Sequence, residues 1–169
     1  MLTKDNKRNR LDSLSTVVLA IYLILLLWLV LFKFSFDIIS VLQDHQSRGF
    51  NLIPFTGQLK EMVSNLVVFV PFGLLLGTNF KQITLWQKLA IISIFSVAVE
   101  MIQFVLAIGV TDITDVAMNT LGGLAGLLLY KIGEKRIDSV KKDYSINIVC
   151  ILLMALFLVF RFFILRVKY

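Results

Sequence analysis

The chain holds one cysteine, Cys150, one histidine, His45, and two prolines, Pro54 and Pro71, in 169 residues. A lone cysteine excludes an intrachain disulfide, and Cys150 lies within an apolar run. A lone histidine excludes a multi-histidine metal site, although an all-oxygen site needs none. His45 reads as a solvated loop residue. No nucleophile elbow, P-loop or dinucleotide fingerprint is present, so no metal ligand set and no cofactor is assigned. Charge is scarce as well. Only 17% of residues are charged against 58% hydrophobic, with mean hydropathy +0.86. Soluble domains are usually about 45–50% apolar, so this composition belongs to a membrane protein whose first partner is the lipid bilayer. The net charge of +6 does not point to nucleic acid. The cations lie between apolar segments and at the ends, not on one face or in an aromatic-rich patch.

What the chain has in abundance is long apolar runs. A spanning helix needs roughly 17–25 mostly apolar residues. Five segments meet or approach that length: Leu14–Phe32, Met62–Asn79, Leu85–Ile108, Val116–Gly133 and Ile146–Leu165. The fold class is all-α, a polytopic transmembrane helical bundle of about five helices. Residues 1–13 form a basic N-terminus, 14–133 a four-helix membrane domain, and 134–169 a basic loop with the fifth helix. The first run follows Lys4, Lys7, Arg8 and Arg10 as a signal peptide would. It is longer than a signal core, and Lys33-Phe34-Ser35-Phe36-Asp37 offers no small-residue cleavage site. It reads as an uncleaved spanning helix. With the N-terminus cytoplasmic, the inner segments carry 11 of the 17 Lys and Arg residues, which favours that orientation. Lys131–Lys142 is then the firmest cytoplasmic loop. Arg161, near the end of the fifth helix, must snorkel. Asp37–Asp44 suggests a short interfacial helix within the one sizeable loop.

Against this apolar background seven acidic or amide residues stand out: Glu61, Asn65, Glu100, Gln103, Asp112, Asp115 and Asn119. A charge at the bilayer centre costs at least ~2.5–3.5 kcal/mol, so their placement calls for a reason. Glu61 and Asn65 are four apart and share a face, although Glu61 also suits the positive end of a helix. Glu100 and Gln103 are three apart, with no lysine or arginine near in sequence. Glu100 therefore pairs with a cation from another segment or holds its proton. Asp112, Asp115 and Asn119 follow an i, i+3, i+7 stripe. Thr111 or Thr114 could cap that helix with an aspartate in its first turn, which accounts for one acid but not for the whole stripe. In the N-inside topology all seven gather on the outer half of the bundle. Gly73-Leu-Leu-Leu-Gly77 and Gly122-Gly123-Leu-Ala-Gly126 are close-packing motifs in apolar context. Gly122 and Gly126 continue the stripe of Asp115 and Asn119, so the acids face into the bundle. Pro71 should kink the second helix. These glycines and Pro71 are expected to shape the site and not to touch a ligand.

Taken together, Arg48-Gly-Phe-Asn51-Leu-Ile-Pro54-Phe55, Asn65 through Pro71-Phe-Gly73, Glu100-Met-Ile-Gln103 and Asp112-Ile-Thr-Asp115-Val-Ala-Met-Asn119-Thr-Leu-Gly122-Gly123 resemble the VanZ-like family. The likeness covers residues 48–126. It implies a small polytopic protein of the bacterial plasma membrane. The family's name comes from a member linked to low-level resistance to the glycopeptide teicoplanin. Members often carry an arginine just before the first aspartate of the Asp-x-x-Asp-x-x-x-Asn motif. Gly109-Val-Thr111 stands there instead, and Arg48 is the nearest candidate replacement.

Three functions fit these residues, in this order. The first is a non-enzymatic binder of an envelope component or amphiphilic glycopeptide, its polar outer pocket formed by Arg48, Asn51, Glu61, Asn65, Glu100, Gln103, Asp112, Asp115 and Asn119. Arg48 would meet a phosphate or carboxylate. The second is a membrane-embedded enzyme acting on a lipid-linked substrate, with Glu100 as acid and Asp115 as base, or with oxygen ligands to Mg²⁺ or Ca²⁺. The third is a small proton-coupled transporter using Glu100. Five helices are few for alternating access unless the chain dimerises, and the glycine faces leave a homo-oligomer open.

Overall fold

A computed structural model describes residues 4–32, 50–51, 53, 59–108 and 111–166. Five helices carry the chain: α1 (Lys4–Leu31), α2 (Leu59–Asn79), α3 (Leu85–Leu106), α4 (Ile113–Glu134) and α5 (Ser139–Arg166). All five are long and apolar enough to cross a membrane. A pair of two-residue strands, β1 (Phe50–Asn51) and β2 (Thr111–Asp112), runs parallel, with Phe50 opposite Thr111 and Asn51 opposite Asp112. The expected interfacial helix at Asp37–Asp44 lies outside the described residues, as do His45 and Arg48.

Local chemistry sets the helix ends. Thr84 caps α3 through a reciprocal pair with Gln87: Gln87 N donates to Thr84 Oγ1 at 3.3 Å and Thr84 N donates to Gln87 Oε1 at 2.8 Å. At its other end the apolar run continues to Ile108, but the helix stops two residues short of that. Ala107 turns left-handed at φ 55°, and Ile108 N donates to Gln103 O at 3.1 Å. Asp112, and not a threonine, caps α4: its side chain accepts from Thr114 N at 2.7 Å. Thr114 and Asp115 then fall in the first turn. The stretch expected as the basic loop Lys131–Lys142 is mostly helical. α4 runs on to Glu134 and α5 starts at Ser139, so only 135–138 connect them. Asp138 Oδ1 accepts from Val140 N and Lys141 N at 3.1 and 3.3 Å, which nucleates α5 seven residues before the apolar run begins. α1 likewise starts within the basic N-terminal segment, at Lys4.

The interior is built on stripes. α1 buries Leu11, Ser15, Val18, Leu19, Tyr22, Leu26, Leu29 and Val30, the i, i+3, i+4 pattern of one helix face. Phe69 and Phe72 of α2 meet Phe95 of α3 with ring centroids 5.3–6.2 Å apart, and Leu75, Ile92 and Val99 close the layer. Outward-facing residues such as Ile24, Trp86, Leu156 and Phe160 are apolar and exposed. In water this would be an aggregating surface; in a bilayer it is the lipid-facing one.

The closest helix pair is α2 with α4. A Cβ on Gly122 would run into the Leu66 carbonyl, one on Gly126 into the Val70 carbonyl, and one on Gly73 into the Gly123 carbonyl. Glycine lets the two backbones touch, which replaces the hydrophobic driving force that lipid removes. Gly122→Ala is expected to lower stability by ~1–3 kcal/mol through overpacking. Gly133→Ala, where the nearest atom is a flexible Lys142 side-chain carbon at 3.3 Å, should cost much less. Thermal unfolding in detergent checks the pair; equal midpoints for the two variants would sink the argument.

Candidate functional site

The α2–α4 contact and the β1–β2 pairing bring most of the polar residues to one end of the bundle. Asp112 is the hub. Its side chain caps α4 and accepts from Asn51 Nδ2 at 2.9 Å, while its backbone N–H donates to Glu100 Oε2 at 3.0 Å. Thr111 Oγ1 donates to the Glu100 carbonyl at 3.2 Å. Glu100, 2% exposed, is thereby tied to the start of α4. One turn on, Asp115 Oδ1 accepts from Asn65 Nδ2 of α2 at 2.6 Å. Asn119 is fully buried, and its Nδ2 donates to Ser96 Oγ of α3 at 2.9 Å. Ser93 and Thr120 meet at 3.3 Å further along the same seam.

The single stripe expected on α4 therefore divides between two neighbours. Asp115, Gly122 and Gly126 face α2, whereas Asn119 and Gly123 face Ser96 and Ile92 of α3. At 3.6 residues per turn a stripe drifts around the helix, and α4 is wedged between both partners. The other pairings divide too. Gln103 leaves Glu100 and turns to α1, where its Nε2 donates to the Val30 and Leu31 carbonyls at 2.9 and 3.4 Å. It serves carbonyls that the end of α1 leaves without helical partners. Glu61 stays exposed in the first turn of α2, while Asn65, one turn deeper, is buried.

Two buried acceptors, Gln103 Oε1 and Asn119 Oδ1, lack a hydrogen-bond partner among the described residues. The end of the bundle holding Glu100, Asp112 and Asp115 is rich in oxygen acceptors and suits a partner rich in donors. Among the described residues no three His, Cys, Asp or Glu side chains converge as a metal-holding group.

A second polar network, not anticipated from the sequence, occupies the other end. Asp143 pairs with Lys81 and accepts from Tyr130 Oη at 3.4 Å. Asn147 Nδ2 donates to Ser15 Oγ at 2.6 Å, and Asn79 Nδ2 donates to the Ser15 carbonyl at 3.1 Å. The signal was the i, i+4 spacing of Asp143 and Asn147, hidden because the apolar run that marks the fifth helix starts only at Ile146, so that Asp143 falls before it.

The Glu100–Asp112 bond makes a prediction. Glu100→Gln keeps an oxygen acceptor for the Asp112 N–H, whereas Glu100→Ala leaves that part-buried donor unmatched at ~1–3 kcal/mol. Thermal unfolding should rank wild type and Glu100→Gln above Glu100→Ala. Equal loss in both variants would mean that charge, and not this hydrogen bond, carries the stability.

The VanZ/LLP1 family model matches residues 19–134. Protein VanZ of Enterococcus faecium is 50% identical over 150 residues, covering 88% of this chain and 92% of that protein. No solved structure matches the chain. Most of both sequences aligns at this identity, and the family model spans every residue of the acid and amide cluster from Asn51 to Asn119; the chain belongs to the VanZ/LLP1 family.

Proposed function

We propose that this membrane protein lies in the bacterial plasma membrane, binds an envelope component or amphiphilic glycopeptide, and contributes to teicoplanin resistance. One observation carries the reading: Glu100, Asp112 and Asp115 gather at one end of α3 and α4, bonded to the backbone N–H of Asp112 and the amides of Asn51 and Asn65. Carboxylate and amide oxygens so placed suit ligands rich in N–H and O–H groups, and peptides and sugars carry both. Buried ionisable groups in spanning helices are functional candidates by default. The 11 of 17 basic residues assigned to the inner segments favour an orientation that turns this cluster outward, toward the side where envelope components and glycopeptides meet the membrane. Arg48 is the proposed cation for a ligand phosphate or carboxylate. The link between the family's namesake and teicoplanin supports the antibiotic part of the reading.

The test is glycopeptide susceptibility of a host expressing wild type, Glu100→Gln or Asp115→Asn, with membrane abundance measured by blot. Wild type is expected to lower teicoplanin sensitivity, and both variants are expected to lose that effect at equal abundance. A silent wild type, or variants as protective as wild type, would overturn the proposal.

A further inference from the structure

The end of the bundle opposite Glu100 gathers lysines where helix physics disfavours them. Lys88 sits in the first turn of α3 and Lys142 in the first turn of α5. Helix N-termini carry partial positive charge and favour anions. Neither first turn holds an acidic residue. Both lysines are also buried, Lys88 at 8% and Lys142 at 4% exposure. They converge on one ring: the Lys142 ammonium lies 3.7 Å and the Lys88 ammonium 5.8 Å from the Tyr130 centroid. The ring itself is seated by glycine, because a Cβ on Gly77 of α2 would occupy its place.

The carboxylates nearby do not balance these charges. Asp143 is taken by Lys81. Glu134 reaches Lys142 at 3.5 Å, but its side chain is half exposed at 49%. Among the described residues Lys88 has no carboxylate within ion-pair distance and no hydrogen-bond partner. With the ring as its contact, the Lys88 ammonium keeps hydrogen-bonding capacity for a further partner, since a cation–π contact offsets only part of the desolvation of a charge.

We propose that Lys88 and Lys142, gathered on Tyr130, form an anion site that takes the phosphate of an anionic lipid headgroup. The lipid is favoured over free phosphate by position. Both lysines lie within a turn of the start of a helix long and apolar enough to cross a membrane, and the ends of such helices are where headgroups meet the protein. The exposed Lys131, Lys135, Arg136 and Lys141 surround the end of α4 and the start of α5, a basic rim of the kind that attracts anionic lipid. The site is independent of the Glu100 cluster and of the glycopeptide reading.

The test uses the full chain in neutral detergent micelles doped with phosphatidylglycerol or phosphatidylcholine, with thermal unfolding as readout. Phosphatidylglycerol is expected to raise the midpoint and phosphatidylcholine is not. In Lys88→Gln the half-saturating phosphatidylglycerol concentration should rise roughly tenfold, as expected for losing one charge-assisted bond. In Lys60→Gln, which removes an exposed charge at the start of α2 and away from the rim, it should change by less than about twofold. If Lys88→Gln does not fold, Lys142→Gln carries the same test with the same expected weakening. Equal shifts from both lipids, or unaltered phosphatidylglycerol response in the lysine variant, overturns the site. A comparable shift from millimolar inorganic phosphate, lost in Lys88→Gln, overturns lipid as the source.

Discussion

The glycines of α2 and α4 allow these backbones to meet carbonyl against Cα, and the other elements arrange themselves around that contact. Lipid is as apolar as leucine, so burying leucine between helices gains little in a membrane. Close backbone contact gains dispersion energy from many atoms at once. Gly122 against Leu66, Gly126 against Val70 and Gly73 against Gly123 make the contact continuous over about two turns. Because α4 is pinned so closely to α2, its first turn is delivered to a defined place. Asp115 then reaches Asn65, and Asp112 reaches Asn51 and the side chain of Glu100.

The two ends of the bundle use polar residues differently. Around Glu100 most acceptors meet short donors, amides and backbone N–H groups, within a network spanning α2, α3, β1 and α4. Around Tyr130 the groups are ionic, and they link α3, α4, α5 and the α2–α3 connection through Lys81–Asp143, Lys142–Glu134 and the shared ring. Between them lies the apolar layer of Phe69, Phe72, Phe95 and Ile92. A bundle whose charged groups sit at its two ends, and whose middle holds only neutral polar pairs such as Asn119–Ser96 and Ser93–Thr120, avoids the costliest depth for charge.

Much of the architecture was legible from composition and spacing. Five apolar runs became five helices, because in a bilayer a helix is the structure that satisfies its own backbone. The glycine motifs marked helix contacts, although Gly77 makes room for a ring, not a helix backbone. The ends were less legible. α5 begins at Ser139 because Asp138 accepts from its first N–H groups, an event of hydrogen bonding that hydropathy does not register. The same holds for Asp112 as cap of α4.

The sequence by itself determined that the chain lives in a membrane, roughly where it crosses, and which acids and amides lie where charge is expensive. These follow from hydropathy and local spacing, which the chain carries along its length. Only the tertiary structure decided how those residues are partnered. Glu61 and Asn65 share a spacing, yet one is exposed and the other bonded to Asp115. Glu100 and Gln103 share a face, yet one joins α4 and the other α1. Lys88 and Lys142 are far apart in sequence, yet they meet on Tyr130. A helix face spans more than one neighbour, and which neighbour each side chain meets is set by how closely the backbones pack.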